Sequence, residues 1–264
     1  APQWRARAIG AMSAAFLVAG IFGQVLASTI ALCASWSWFF VACGVVLAMI
    51  FTIILFSVVE VPNHTPSMTL LQQFGNLAVL LFRPAIVLLG IAHITLLLSF
   101  VALYTGIGHH LEDLHVAVSN IILIRLAALP AMFISLGVGA LAERIGAIRV
   151  AQVGFGLAAV GMLGEAFTDQ MIFGVVASSV VYVSGAALSI PSMIMLYGET
   201  AAPHRGSGMA INGFVLFVGA SIGALVGKAI GGFGTLTLTL VALLGIAAIS
   251  LLALGAIQRK DSSS

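Results

Sequence analysis

Charged side chains are nearly missing from this sequence. Asp, Glu, Lys and Arg together make up 7% of its 264 residues, where a soluble domain carries roughly 25%. Apolar residues make up 61% and the mean hydropathy is +1.21. A water-soluble globule has no interior large enough to hide that much apolar surface. The composition therefore excludes a soluble protein and implies a chain that crosses lipid repeatedly. Cysteine is almost absent too. Cys33 and Cys43 lie in or beside apolar runs without the close pair spacing of a metal site, so neither a disulfide nor a thiolate-bound metal is expected. The net charge of +2, with no basic cluster, excludes nucleic acid as a partner. P-loop, haem-ligand and catalytic-triad patterns are lacking as well, so no ATP hydrolysis, no enzymatic chemistry and no cofactor are expected. The opening residues, APQWRARAIG, show neither an initiator Met nor the regions of a signal peptide. They read as a start partway through a longer protein, whereas Ser262–Ser264, after Arg259 and Lys260, read as a polar end.

What is present is a series of apolar runs. Crossing the hydrocarbon core takes about 20 helical residues, and about eight runs reach that length: 9–30, 38–59, 84–107, 116–141, 147–167, 171–196, 207–231 and 235–257. They are too long and too evenly apolar for barrel strands, and lipid forbids unpaired backbone. The expected fold class is all-α, a polytopic membrane helical bundle.

The few basic residues orient these spans. Arg5 and Arg7, Arg83, Arg144 and Arg149, Arg205, and Arg259 with Lys260 all fall on one side if the spans alternate. The opposite loops, around Ser35, His109–His115, Asp169 and Gly232, hold no Lys or Arg. Positive-inside reasoning places both ends in the cytoplasm. The longest loop, Glu60–Phe82, contains Pro62, Pro66 and a mildly amphipathic stretch, Leu70–Leu81. It reads as a cytoplasmic linker carrying a surface-lying helix. The expected organisation is then the last two helices of an N-terminal bundle (1–59), a linker (60–83), a complete C-terminal six-helix bundle (84–258) and a cytoplasmic tail (259–264). A faint repeat agrees: Arg7–Gly10 and Arg205–Gly208 each open a span, followed by Phe16 or Phe214 and then by glycines. The glycines are Gly20 and Gly23 in the first case, and Gly219, Gly223 and Gly227 in the second. Bundles related by a repeat are the plan of many secondary transporters.

Between the fourth and fifth spans lies GALAERIGAIRV, Gly139–Val150, where Gly139 and Gly146 bracket Glu143 and Arg144, and Arg149 follows. This stretch resembles the second-bundle copy of the cytoplasmic loop motif of the major facilitator superfamily. SWSWFF (Ser35–Phe40) resembles the start of that family's sixth helix, with Ser37 where Arg is usual. YGETAAPHRGSGMAINGF (Tyr197–Phe214) is similar to its tenth-to-eleventh helix connection. The resemblance covers essentially the whole chain, mapped onto the fifth to twelfth helices, and is nearest to the bacterial drug- and sugar-efflux branch. It implies a carrier of the bacterial inner membrane, exporting a small organic solute against protons, with the lipid bilayer and about four missing N-terminal helices as further partners. One departure weakens the antiport: that branch often has G-x-x-x-G-P in its fifth helix, and Gln24 stands in the proline's place. Proton-linked uptake, or a non-transporting receptor or scaffold, are the alternatives.

A carboxylate at a helix end can accept hydrogen bonds from the N-terminal amides of a neighbouring helix. The resemblance implies that Glu143 and Arg144 latch onto the helix start at Arg7–Gly10; the alternative is a solvated turn charged only for topology. Arg125 lies about nine residues, ~14 Å, from the outer end of its span. A central Arg costs at least ~2.5–3.5 kcal/mol on insertion scales and so faces a bundle interior or an aqueous cavity. It reads as a ligand for an anion or a counter-ion in proton coupling, or as a structurally paired Arg. His93, at similar depth in the preceding span, reads as a proton carrier or a packing histidine. Pro130 leaves the carbonyl of Leu126 without its helical partner.

His93 shares a stripe with Leu97, Phe100 and Tyr104, and Ser178, Tyr182, Gly185 and Ser189 form another. Such stripes are often packing seams, but the resemblance places these helices around the pathway, so Tyr104 and Tyr182 are candidates. Gly20, Gly23, Gly219, Gly223 and Gly227 read as helix-packing positions, with Asn212 on the same face as the last three. Lys228 can snorkel outward. Glu165 and Asp169 are expected at the outer interface. His109, His110, His115, Glu112 and Asp113 lack a recognised zinc spacing and read as solvated loop residues.

Overall fold

The computed structural model describes residues 33–57, 70–113, 115, 116 and 126–263, together with scattered positions between 15 and 30. Among the described residues the regular structure is entirely helical. The long helices are α1 (Trp36–Ser57), α3 (Pro84–Asp113), α5 (Ala147–Thr168), α6 (Ile172–Thr200), α7 (Arg205–Ala229) and α8 (Phe233–Ser263). Two short ones are α2 (Leu70–Leu81) and α4 (Val138–Ile145). Six described helices are long and apolar enough to cross a membrane. The two other expected spans, 9–30 and 116–141, fall partly outside the described residues.

Small residues decide which helices meet. α5 and α6 pair along their length, because Gly154 and Gly161 of α5 and Gly185 of α6 bring backbone against backbone. A Cβ on Gly161 would overlap the backbone of Tyr182, and one on Gly185 that of Ala158. α7 lies as closely on α3: a Cβ on Gly219, Gly223 or Gly227 would run into the carbonyl oxygens of Ile94, Leu98 and Ala102. α8 closes the bundle against α3 and α5, burying Leu240, Leu244, Leu251 and Leu254. α3 is thereby the central element, with Leu89, Leu96 and Leu103 wholly enclosed. The described side chains of α1 are exposed or half-buried throughout, Phe56 to 86%.

Three expectations change. The run 116–141 is not one α-helix: from Leu126 two helical residues lead through a turn into a 3-10 helix, Leu129–Gly137, before α4 resumes α geometry. Pro130, in the first turn of that 3-10 segment, cannot donate to an α ladder, which favours a break there. α3 runs to Asp113 rather than 107, so His109, His110, Glu112 and Asp113 sit on helix and not loop. Its extra turns hold because they pack: Ile107 and Leu111 are buried, and the His110 ring stacks on Phe233, centroids 4.4 Å apart at 8°. α8 likewise continues into the expected tail.

Candidate functional site

Polar side chains converge where α3, α6 and α7 meet. His93 is fully buried, Tyr197 fully and Asn212 all but fully. The rings of His93 and Tyr197 lie 6.0 Å apart at 32°. The Tyr197 hydroxyl lies beside Gly90, one turn before His93, and would be in ordinary contact, 3.7 Å, with a Cβ there. Asn212 reaches the imidazole from α7 outside ordinary hydrogen-bond geometry. Both ring nitrogens of His93, the Tyr197 hydroxyl and the Asn212 carbonyl oxygen have no hydrogen-bond partner. Buried polar groups are nearly always paired, so such a concentration marks a place built to meet a polar group from elsewhere. Pro191, inside α6, leaves the carbonyl of Ala187 without its helical donor on the same helix.

Further along α3, Ser99 and Tyr182 satisfy each other. Ser99 Oγ and Tyr182 Oη lie 2.8 Å apart, and Phe100 packs on Tyr104 and Tyr182 with centroids 5.0 and 6.3 Å away. Tyr104 and Tyr182 are both buried. Ser178, Gly185 and Ser189, the rest of the expected α6 stripe, lie against Gly164, Ala158 and Gly154 of α5 and form a packing seam. Only Tyr182 reaches across to α3.

The charged turn is built differently. Gly146, at φ 88°, ends α4 with its N–H on the carbonyl of Ala142 at 2.9 Å and turns the chain into α5. Positive φ at that junction suits glycine. Gly139 and Ala142 face inward, while Glu143, Arg144 and Arg149 are exposed and form no ion pair among the described residues. Arg7, the suspected partner, lies outside the described residues, as do Arg125 and Gly20. Gly23 is described, but a Cβ there would meet nothing within 4 Å, so no described helix packs on it.

At the other end of the bundle a cavity of about 220 Å³ opens among His109, His110, Asp113, Lys228 and Phe233. His110 donates from Nε2 to the carbonyl of Asp169 at 2.7 Å, and His109 lies 3.8 Å from Glu112. Among the described residues no three metal-ligating side chains converge.

Sequence reasoning missed Tyr197, which lay within a quoted connection motif without being singled out, and Ser99, an unremarkable serine in an apolar run. Glu165 lies three residues from the end of α5, and its side chain is fully buried between α5 and α6, because the close approach at Gly161 and Gly164 leaves no path outward.

The sequence pattern of the Major Facilitator Superfamily matches residues 1–223. The chain belongs to that superfamily. A comparison with curated proteins gave no match. Among solved structures, a bacterial homologue of the iron transporter ferroportin in its outward-facing state is similar, with a TM-score of 0.68 and 14% identity. The likeness covers 97% of this chain and 65% of that one, so this major facilitator chain spans about two thirds of its structural relative's length. At this identity it concerns the fold. Family and fold together make this a multi-pass membrane protein of a transporter superfamily and not an enzyme.

Proposed function

We propose that this protein is a secondary active transporter moving a small organic solute, drug-like or sugar-like, by alternating access. The observation that carries the reading is the meeting of His93, Tyr197 and Asn212 inside three membrane-crossing helices. Each unpartnered buried polar group costs roughly 1–3 kcal/mol, and a fold that keeps several together does so where a passing solute or proton completes them. Arg125, Tyr104 and Tyr182 belong to the same pathway. Residues 84–258 form one bundle and 1–59 the end of the other, joined by the linker at 60–83. The 65% coverage of the outward-facing relative supports a chain that contributes the fifth to twelfth helices, with the remaining helices of the protein completing the cavity.

Transport is efflux coupled to proton entry across the bacterial inner membrane, with both ends of the chain cytoplasmic. Gly139, Glu143, Arg144, Gly146 and Arg149 form, with Arg7, the cytoplasmic gate. Gln24, in place of an antiport proline, weakens the antiport reading, and proton-linked uptake is the second reading.

The deciding experiment reconstitutes the full protein in liposomes under an imposed pH gradient and compares wild type with Arg125→Ala. Solute flux is expected to follow the gradient in the wild type and to collapse in the variant. Flux indifferent to the gradient would remove proton coupling, and unimpaired flux in the variant would remove Arg125 from the pathway.

A further inference from the structure

Glu165 is a carboxyl group with no place in the pathway just described. It sits three residues before the end of α5, about 5 Å below that end at 1.5 Å per residue, and its side chain has no exposure to solvent. One oxygen, Oε1, accepts a hydrogen bond from Ser179 Oγ of α6 at 2.5 Å. The other, Oε2, is buried without a partner. An ionised carboxylate offers about four lone-pair sites, and here one is used.

No cation among the described residues compensates it. Among the described residues the one ion pair joins His109 to Glu112, elsewhere. From α6 the nearest ionisable side chain is Tyr182, whose hydroxyl is engaged with Ser99. At the α5–α6 turn there is Asp169, a second acid. From α3 there are His110, which donates to the Asp169 carbonyl, His109, Glu112 and Asp113, all at its outer end. α7 contributes the exposed Lys228, and α8 has no ionisable side chain before Arg259. An isolated charge in such surroundings is far too costly to keep, and the group neutralises instead.

Water cannot reach it in this conformation either. The seam around Glu165 is closed by Gly161 against the Tyr182 backbone, Gly164 against Ser178 and Gly174 against Thr168, each so near that a Cβ would overlap.

We propose that Glu165 is a proton-binding site of this protein, separate from the His93 cluster: the carboxyl holds its proton while α5 and α6 are closed around it and releases it when their outer ends part. The structure supplies each element of such a site. There is an acid with a spare oxygen, a hydroxyl that orients it and has no second acid to share it with, and a seam of small residues that can separate without tearing interlocked side chains. The inference goes beyond the transport reading and does not depend on a solute.

The test is chemical labelling by the hydrophobic reagent dicyclohexylcarbodiimide, which reacts with protonated carboxyls in apolar surroundings. The acid adds across a C=N bond of the reagent: its oxygen bonds to the central carbon and its proton passes to nitrogen. Acyl migration from oxygen to nitrogen then leaves a stable N-acylurea. The full protein in liposomes is labelled over a pH series without any solute, and the modified peptides are located by mass spectrometry. The reagent enters when the outer ends of α5 and α6 part, and below the midpoint pH the carboxyl is still protonated then, so label is expected at Glu165 and not at the exposed Glu143 or Glu199. It should fall about tenfold per pH unit beyond its midpoint, as the protonated population does. Glu165→Gln, neutral and of the same shape, is expected to fold and to lose that label.

Absence of label at Glu165 in protein with intact helical circular dichroism would overturn the proposal, as would equal labelling of Glu143. Protection by sodium but not choline at fixed pH would also overturn it, making this a sodium site. Because no transport is measured, failure of either reading leaves the other standing.

Discussion

Ser99 and Tyr182 join α3 to α6 through hydroxyl oxygens 2.8 Å apart, across 83 residues of sequence. The direction of the bond follows from proton counting. Ser99 has one hydroxyl proton and donates it to the carbonyl of Leu96 at 2.8 Å, so the Tyr182 hydroxyl is the donor to Ser99. Tyr182→Phe removes that donor and leaves Ser99 with its own bond intact. The expected loss is about 1 kcal/mol, whereas Tyr182→Ala, which also empties a buried site, should lose about 3–5 kcal/mol. Unfolding in mixed micelles measures both. An undiminished stability of Tyr182→Phe would mean that the hydroxyl contributes nothing.

The opposite outcome is expected at Tyr197. Its buried hydroxyl has no hydrogen-bond partner, so Tyr197→Phe removes an unsatisfied group and should leave stability unchanged or raise it by up to ~1–3 kcal/mol. Solute flux, in contrast, should drop if the hydroxyl serves the pathway. Micelle unfolding alongside liposome flux separates the two effects, and undiminished flux would remove Tyr197 from the site.

Two glycines of α7 make a matched pair. A Cβ on Gly223 would strike the carbonyl of Leu98, whereas one on Gly213 meets nothing within 4 Å. Gly223→Ala should cost ~1–3 kcal/mol by forcing α7 away from α3. Gly213→Ala should be neutral or stabilising by up to ~1 kcal/mol, from helix propensity alone. The comparison of unfolding midpoints checks the α3–α7 contact without any functional assay.

Glu143→Gln keeps the size of an exposed side chain in the last turn of α4 and removes its charge. If Glu143 latches the cytoplasmic side through the Arg7 helix start, the variant should shift the carrier towards its inward-open state. Reactivity of cysteines placed along the pathway reports that balance from each side of the membrane. Unchanged accessibility would reduce Glu143 to a topological charge.

Most of the helical layout was legible in the sequence. α1, α5 and α6 begin and end within a few residues of the apolar runs, and α2 coincides with the amphipathic stretch Leu70–Leu81. Length and hydropathy suffice for this because a chain in lipid has no alternative to pairing its backbone within the segment. The glycine ladder of α7 was legible too, since small residues at helical spacing announce a close neighbour. The break at Leu129–Gly137 was half legible: Pro130 predicted a missing bond, but not that nine residues would adopt 3-10 geometry.

The sites were less legible, and Glu165 and His93 show why. Counting residues along a helix at 1.5 Å each tells how deep a side chain lies, and by depth Glu165 belonged at the outer interface. Depth says nothing about which way the helix is turned. That angle is decided by how α5 packs on α6, and it carries Glu165 inward to Ser179. Likewise the depth of His93 was readable from its span, but its neighbours Tyr197 and Asn212 come from other helices whose rotation only packing sets. That this is a many-helix membrane protein, and where most of its helices run, follows from composition and hydropathy, because lipid imposes that on each segment alone. Which polar groups meet inside depends on packing, because contacts between glycines and distant backbone set how α5 faces α6 and how α7 faces α3.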